Sequence, residues 1–256
     1  MDITMTAVRR PEVIEKTLKS FTENLFVIPE DHRLIVNIDP VGNEINNDKV
    51  IDVLEKYFPN LVIFEPKKPS FPKAVIRIWK QVESKYFFHL EDDWILERPI
   101  FMTDLIQPLK RNKELACMRL YKEDIPFTNS PKMFGCSYNY HGTRSFTNTY
   151  FTPVPGSNNW LNQFGLNPVM IKKEFIDEAL PLMNPDQNPE KQFRENNPLM
   201  KNIILKWTFA VYGRPGLKRM VWGKNGLHWR QQSKFQKHRN GTGFTTWDIR
   251  KEYINV

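Results

Sequence analysis

The sequence predicts an α/β fold with a mostly parallel central sheet flanked by helices. Strand-like and helix-like segments alternate through the first half of the 256-residue chain, and this alternation is typical of parallel, doubly wound sheets. The fourth strand-like segment, YFFHL at residues 86–90, is dominated by aromatic and apolar side chains. Such runs belong to interior strands that are covered on both faces. Hydrophobic content of 40% and charged content of 26% are those of an ordinary globular protein.

The elements of the first half follow from hydrophobic spacing and from proline positions. The first helix starts at Pro11, because proline suits the first helical turn, and its apolar residues recur at helical spacing. The third helix starts near Pro72 in the same way. Residues 40–47 are expected to form a loop. The predicted strands are 2–8, 33–39, 61–66 and 86–90, and the predicted helices are 10–25, 48–58 and 71–83.

The second half is less regular. Residues 115–121 are expected to form a strand, and 167–180 a strand followed by a helix. Residues 122–160 are rich in Pro, Asn, Thr, Ser and Gly, which predicts a long loop or short hairpins, and loops of this length are often functional. Residues 189–207 are expected to be helical, with a break or kink at Pro198.

The net charge of +8 is concentrated at the C-terminal end. Residues 201–256 contain 12 Lys and Arg against two acids, whereas the other 200 residues contain 25 Lys and Arg against 27 acids. Nine aromatic residues share the basic region, a combination that suits a polyanion such as a nucleic acid. A solvated basic surface over a small aromatic core explains the same composition equally well.

Compartment and membrane association are predicted from what the sequence lacks. No window reaches the roughly 20 apolar residues of a membrane span, and the N-terminus has no apolar signal core. We therefore expect a cytoplasmic protein without a membrane partner, located in the host cytosol if a virus encodes it. Cys117 and Cys136 have no metal-type spacing and are expected to be reduced, structural thiols.

Three consecutive acids, Glu91, Asp92 and Asp93, follow the buried fourth strand. Ligands of such sheets bind beyond the carboxyl ends of the strands, where Thr6 and Asp39 are also expected. Adjacent carboxylates repel one another and are costly to desolvate, and Mg²⁺ or Mn²⁺ held jointly with a diphosphate would offset both penalties. Alternatively, the acids cap the helix that starts near Pro99 or pair with Lys and Arg.

The chain resembles the GT-A glycosyltransferases, particularly the family-2-like group. The resemblance is carried by the first strand with its helix motif from Arg10-Pro11-Glu12 to Ser20-Phe21, by Asp39, and by the DXD-type motif Glu91-Asp92-Asp93-Trp94. It covers residues 2–110 well and 155–230 loosely. It implies a single GT-A domain over 1–256, with a nucleotide-sugar-binding half at 1–110, an acceptor-side half at 111–230 and a basic extension at 231–256.

The resemblance also implies roles for particular residues. Thr6, Arg9 and Asp39 would face the nucleotide, Glu91 the sugar-nucleotide, and Asp93 the metal, with a UDP-sugar as the favoured donor. Asp92 belongs to the same donor site. The helix before the fourth strand lacks the asparagine usual in the family, and Lys73 and Arg77 stand there instead, with Lys73 as a donor-binding candidate.

A general base must take the proton from the acceptor hydroxyl. The family places an acid at a helix start beyond the DXD motif, which matches Glu190 first and Glu195 second; Asp177 and Glu178 match less well. Glu190 is equally explained as a first-turn acid that favours the helix dipole.

The segment GLHWRQQ at 226–232 resembles the part of some GT-A enzymes that supplies a C-terminal metal ligand. His228 would then complete the metal site and Arg230 would neutralise the departing diphosphate, while Gly223 and Gly226 would let the segment close over the donor. Trp160 would stack on the acceptor or would anchor its own loop.

The leading hypothesis is therefore a Mn²⁺- or Mg²⁺-dependent transferase that uses a nucleotide-sugar. The basic region favours a hydroxymethylated base in DNA as the acceptor, as in small virus-encoded enzymes that modify DNA; a glycan or polysaccharide precursor is the alternative. A non-catalytic nucleic-acid-binding α/β module would explain the basic region but not the acidic triplet. A nucleotidyltransferase ranks lower, because no Gly-rich phosphate loop follows the first strand.

Overall fold

The computed structural model describes residues 1–122, 132–139, 145–152, 164–193, 197–212, 218–239 and 245–249. The strands, numbered in chain order, are β1 Asp2–Arg9, β2 Arg33–Gly42, β3 Leu61–Phe64, β4 Tyr86–Glu91, β5 Ile95–Leu96, β6 Leu115–Arg119, β7 Lys132–Asn139, β8 Ser145–Thr152, β9 Val169–Lys172, β10 Thr208–Tyr212, β11 Val221–Trp222, β12 Phe235–Arg239 and β13 Thr245–Ile249. The α-helices are α1 Pro11–Asn24, α2 Asp48–Tyr57, α3 Phe71–Trp79, α4 Met102–Arg111, α5 Lys173–Ala179, α6 Pro189–Lys191, α7 Lys201–Lys206 and α8 Leu227–Gln232.

A nine-stranded sheet of order β3-β2-β1-β4-β9-β6-β10-β8-β7 forms the centre of the described chain. β1 pairs in parallel with β2 and β4, and β6 pairs in parallel with β10. β9 lies antiparallel between β4 and β6, and β8 is antiparallel to its neighbours β10 and β7. Seven of these nine strands therefore run in one direction, which confirms the predicted α/β class with a mostly parallel sheet.

Apolar side chains cover both faces of this sheet. On one face, the strands pack against α1, α2 and α4 through residues such as Leu18, Leu54 and Leu105. On the other face, Trp79 of α3 and Phe175 of α5 lie in a second cluster. Each fully buried large side chain contributes about 1.5–3 kcal/mol relative to exposure, so the interior strands are held in place from both sides.

β2 continues to Gly42, so the predicted loop from residue 40 is wrong at its start. A register shift between Val8 and Arg9 pairs Arg9 with Gly42. Gly42 has φ of 148°, a value that favours glycine. The added residues lengthen the strand beyond Asp39, which leaves that acid inside β2 rather than at its end.

The predicted helix over 189–207 is broken into short pieces. α6 ends at Lys191, a 3₁₀ turn covers Pro198–Met200, and α7 begins at Lys201. Pro198 lacks a backbone N–H and restricts the residue before it, so the expected break at this position is confirmed.

Two small sheets bring the C-terminal part towards the acidic motif. β11 pairs antiparallel with β5, which lies two residues after Asp93. β12 and β13 form an antiparallel hairpin.

In the parts of the chain that the structure describes, no helix is long and apolar enough to cross a bilayer.

Candidate active site

A cleft with a volume of ≈ 470 Å³ opens at the carboxyl edge of the parallel strands. The C-terminal parts of β1, β2 and β4 contribute Thr6, Ala7, Val8, Asp39 and Glu91 to its lining. Phe71 at the start of α3, Arg10, Asn188, Glu190, Arg230 and Trp247 complete the lining. The cleft thus joins side chains that are up to 241 residues apart in sequence, Thr6 and Trp247, and its volume is in the range of small-molecule sites.

Strand register brings the polar groups together. Thr6 of β1 pairs with Glu91 of β4, and Val8 pairs with Asp39 of β2. The parallel arrangement places these positions at one edge, as predicted from the pattern of strand ends. Glu91 is half-buried and accepts a hydrogen bond from Trp94 Nε1 at 3.0 Å.

Asp39 is a buried acid within the cleft. Its side chain is held by Asn37 Nδ2 at 2.8 Å and by the Ser70 N–H at 3.0 Å. Burial raises the pKa of the Asp39 carboxyl, and these two hydrogen bonds partly oppose that effect. A polar ligand group at Asp39 would therefore meet a preoriented carboxyl in the cleft lining.

Asp92 is turned into the protein and binds Arg10. Its Oδ2 accepts hydrogen bonds from the Val8 N–H at 2.9 Å and from Arg10 Nε at 2.8 Å, and its Oδ1 accepts one from Arg10 Nη2. The Asp92 N–H donates to the Thr6 carbonyl, and Thr17 Oγ1 donates to the Asp92 carbonyl at 2.8 Å. Asp92 thereby ties the turn after β4 to β1 and α1.

Arg10 is the cation beside the acidic motif. Its side chain is buried, and Nη2 lies 3.2 Å from Asp93 Oδ2 as well as next to Asp92. Burial opposes the charged form, but the two carboxylates outweigh it and raise the pKa of the Arg10 guanidinium. The sequence favours a bound metal as the reason that adjacent acids are tolerated, with pairing to Lys or Arg as an alternative. In the structure, Asp92 and Asp93 both pair with a basic side chain, Arg10.

The turn at residues 223–226 packs on the motif through its two glycines. A Cβ at Gly223 would lie 2.6 Å from the Trp94 ring, and one at Gly226 would lie 2.8 Å from Asp93 Oδ2. Asn225 Nδ2 donates to the Val13 carbonyl at 3.0 Å, which fastens the turn to α1. The glycines therefore allow a close approach of backbone to motif that no other residue type would permit.

This turn delivers α8 to the edge of the cleft. Arg230 lines the cleft. His228 is exposed, with Nε2 3.3 Å from Gln232 Nε2. Trp229 receives the Arg10 guanidinium over its ring at 5.4 Å and meets Trp247 of β13 edge-on, with 6.1 Å between ring centroids. α8 begins at Leu227, directly after Gly226, which packs against Asp93. The metal-ligand role of His228 on this helix stays a prediction.

Glu190 lines the same cleft as the strand residues. Asn188 caps α6 by accepting hydrogen bonds from the N–H groups of Glu190 and Lys191 at 3.0 and 3.1 Å, and Pro189 occupies the first helical position. Glu190 Oε1 accepts the Leu166 N–H at 2.7 Å. The expected helix start is therefore present, and its first-turn acid belongs to the cleft lining.

Two other predicted donor contacts have different neighbours. Arg9 donates to Asn47 Oδ1 at 2.7 Å and to the Ile45 carbonyl at 2.8 Å, so its guanidinium holds the loop before α2. Lys73 is exposed and lies 3.3 Å from Asp186. Glu195 and Trp160 lie outside the described residues.

The fit of a divalent metal rests on Asp93. Within the described residues, no group of three or more His, Cys, Asp or Glu could hold an ion. Both oxygens of Asp92 are engaged, whereas only Oδ2 of Asp93 contacts Arg10 and its side chain is 14% exposed. Mg²⁺-type ions are commonly bound through one or two carboxylates plus substrate phosphates and water, and Asp93 fits that arrangement but not an all-protein cage.

Sequence reasoning did not assign six of the residues that line the cleft, among them Arg10, Phe71 and Trp247. Arg10 was visible only as part of the helix-start motif, Phe71 as a helix residue, and Trp247 as one of nine aromatics in the basic region. A buried arginine has no local sequence signal. Trp247 reaches the site only because β13 folds back beside α8.

No protein-family model and no curated protein sequence matches the chain. Its structure does match solved ones. The 1–349 fragment of TarS from S. aureus superposes with a TM-score of 0.56 at 11% identity, covering 90% of this chain and 63% of that one. The chain has the GT-A fold. The same fragment in complex with UDP matches with a TM-score of 0.51 at 11% identity, covering 87% of this chain and 60% of that one.

Two further GT-A structures match at similar levels. The mannosyltransferase PcManGT from Pyrobaculum calidifontis, in complex with GDP-Man and Mn²⁺, has a TM-score of 0.51 at 12% identity, covering 83% of this chain and 54% of that one. GalNAc-T7 with UDP, GalNAc and Mn²⁺ has a TM-score of 0.54 at 8% identity, covering 82% of this chain and 41% of that one. This chain therefore spans about two fifths to just under two thirds of the lengths of these structures.

Proposed function

We propose that this protein is a glycosyltransferase that takes a sugar from a nucleotide-sugar donor. The observation that carries the proposal is that Thr6, Asp39 and Glu91 of three neighbouring strands line the same cleft as Glu190. The proposed donor-recognising groups and the candidate base therefore share one cleft. The GT-A fold supports this arrangement, since UDP or GDP-Man is bound in three of the matched structures.

The donor is proposed to bind along the strand ends. Asp39, beside Phe71 in the cleft lining, would recognise the nucleoside through its preoriented carboxyl. Glu91 would contact the sugar-nucleotide. Arg230 would lie against the diphosphate and offset its growing negative charge as it leaves. A UDP-sugar is the favoured donor, in keeping with the UDP in the TarS and GalNAc-T7 complexes.

A divalent cation is proposed to join the donor at Asp93, with His228 as the second protein ligand. The GDP-Man and UDP complexes of two matched proteins contain Mn²⁺. The chemistry that a bound cation supplies is neutralisation of the diphosphate. Asp92 contributes indirectly in this proposal, because it holds Arg10 and the turn that carries Asp93.

Glu190 is the proposed general base. In the transfer, the acceptor oxygen forms a bond to the anomeric carbon, the bond from that carbon to the diphosphate breaks, and the acceptor proton passes to a Glu190 oxygen. The hydrogen bond from the Leu166 N–H orients Oε1. Glu195 remains the second candidate for this role.

The acceptor is proposed to be a hydroxymethylated base in DNA. The +10 balance of residues 201–256 supports a polyanion, and Arg230 and Trp247 of that region line the cleft. Stacking on tryptophan would suit an extruded base. A glycan or polysaccharide precursor is the alternative acceptor, and it would not require the basic region.

The test incubates the full chain with Mn²⁺ and a panel of UDP- and GDP-sugars, and follows release of the nucleoside diphosphate with and without DNA containing hydroxymethylcytosine. We expect release with one donor and faster release with the modified DNA. Release that responds only to glycan acceptors would exclude the DNA acceptor. Absence of both donor binding and release, with salt-sensitive DNA binding retained, would favour a non-catalytic nucleic-acid-binding module.

A further inference from the structure

Arg10 carries a fixed positive charge inside the acidic motif. It is 3% exposed, and it forms a two-point ion pair with Asp92 while Nη2 also lies 3.2 Å from Asp93 Oδ2. Trp229 lies over its guanidinium and Gly226 against it. The packing on all these sides fixes the charge next to Asp93, where a flexible surface arginine would swing away.

The guanidinium also retains unused donor capacity. Nη1 is buried and has no hydrogen-bond partner among the described residues, although Arg10 lines the cleft. A buried donor left unsatisfied costs free energy, and such groups are often completed by a ligand. The arrangement therefore favours a site completed by an anion.

Charge balance determines how this site responds to a cation. Asp92 and Asp93 together carry two negative charges, and Arg10 cancels one of them at contact distance. A divalent ion approaching Asp93 would meet the Arg10 charge and, from the Asp92–Asp93 pair, only one uncompensated carboxylate. Glu91, the third acid of the motif, accepts a hydrogen bond from Trp94 Nε1. A nucleoside diphosphate would add negative charge and oxygen ligands at the same place.

We propose that Arg10 makes cation binding conditional on the donor: the motif binds Mn²⁺ or Mg²⁺ weakly by itself and tightly only together with a nucleoside diphosphate. This inference rests on the proposed donor site. Arg10 acts here as a positioning residue, since it sets the charge and orientation of Asp93 rather than contacting the reacting atoms.

The experiment measures Mn²⁺ binding to the full chain by electron paramagnetic resonance, with Mn²⁺ alone, with UDP and with GDP. In the wild type we expect an affinity for Mn²⁺ at least about tenfold higher when one of the two diphosphates is present. Asp93→Asn should lose that increase. Any increase that remains in this variant measures the Mn²⁺ bound by the free nucleotide and is subtracted. In Arg10→Gln, which keeps a hydrogen-bonding group but removes the charge, the affinity for Mn²⁺ alone should rise at least about tenfold.

Arg10→Lys is the matched control, because it keeps the charge and should bind Mn²⁺ alone as weakly as the wild type does. An affinity for Mn²⁺ alone that is unchanged in folded Arg10→Gln would overturn the inference. If Arg10→Gln does not fold, the wild type still tests the inference. An equal affinity for Mn²⁺ with and without the diphosphate, at a site that Asp93→Asn removes, would also overturn the inference. Failure of UDP and GDP to bind at all would instead count against the proposed donor site.

Discussion

Gly226 lies against Asp93 so closely that a Cβ at position 226 would stand 2.8 Å from Asp93 Oδ2. The same Cβ would also collide with the Arg10 guanidinium, which cannot move aside cheaply because Asp92 holds it at two points. This contact joins the C-terminal part of the chain to the acidic motif, and it fixes where α8 begins.

Gly226→Ala should therefore disturb both stability and donor binding. Overpacking of this kind costs about 1–3 kcal/mol, and relief by shifting the turn would move Arg230 out of the cleft. Urea unfolding and the donor-induced rise in melting temperature would measure the two effects. Lys224→Ala, an exposed change in the same turn, should leave both at wild-type levels. A fully stable Gly226→Ala protein with normal donor binding would contradict the close packing.

Asp92→Asn and Asp93→Asn should separate a structural acid from a functional one. Asp92→Asn leaves Arg10 buried without its main counter-charge and should reduce the free energy of unfolding by about 3–5 kcal/mol. Asp93 is more exposed and shares Arg10 with Asp92, so its amide should affect stability less while abolishing donor turnover. Chemical unfolding and donor hydrolysis would be measured on both variants. A larger loss of stability in Asp93→Asn, or a larger loss of turnover in Asp92→Asn, would contradict this assignment.

Glu190→Gln should remove catalysis and spare binding. Loss of a general base lowers the rate by about 10²–10⁴-fold. The amide oxygen can still accept the Leu166 N–H that now bonds to Oε1, so the fold and the affinity for the nucleoside diphosphate should persist. Single-turnover transfer and calorimetric titration would measure the two properties. Transfer at the wild-type rate would exclude Glu190 as the base.

His89 should make stability depend on pH. Burial in β4 lowers the pKa of its imidazole to about 3, and its Nδ1 lies 3.0 Å from Thr4 Oγ1 and accepts a hydrogen bond from Trp79 Nε1 at 3.3 Å. Because the folded-state pKa lies below the unfolded value of about 6.5, the unfolded chain binds the extra proton. The contribution of His89 is complete above that value and is lost as pH falls towards 3, by at most about 1.4 kcal/mol per pH unit.

Urea unfolding of the wild type and of His89→Gln between pH 7.5 and 5 would measure this difference. The variant should lose less stability on acidification, whatever its stability at neutral pH. His32 also has a pKa lowered chiefly by burial, so the comparison between the two proteins, and not the wild-type slope alone, tests His89. Parallel pH profiles would contradict the burial argument.

The strands and helices of the first half were predictable because each has a local signal. Pro11 marks the start of α1, and successive residues of YFFHL pack on opposite faces, with Phe87 in one cluster and Phe88 in the other. The position of Asp39 and Glu91 at one edge followed from parallel pairing alone. These inferences need only hydrophobic period and strand direction.

Long-range pairing was not predictable in this way. The sequence of β9 indicates a strand, but nothing in it specifies that Val169–Lys172 inserts antiparallel between β4 and β6. The partner of Asp92 is likewise set by tertiary structure, since Arg10 lies 82 residues away in sequence. From the sequence alone, a metal ion and an arginine explain the neutralised carboxylates equally well, and only the geometry distinguishes them.

Calorimetric titration of the full chain with UDP and with GDP, each with Mn²⁺, tests the central claim most directly, and Asp39→Asn and Asp93→Asn are the matched variants. We predict that one of the two diphosphates binds the wild type with one-to-one stoichiometry and that each variant weakens it by at least about tenfold, or 1.4 kcal/mol. Failure of both to bind, or binding that both variants leave unchanged, would contradict a nucleotide-sugar site at this cleft.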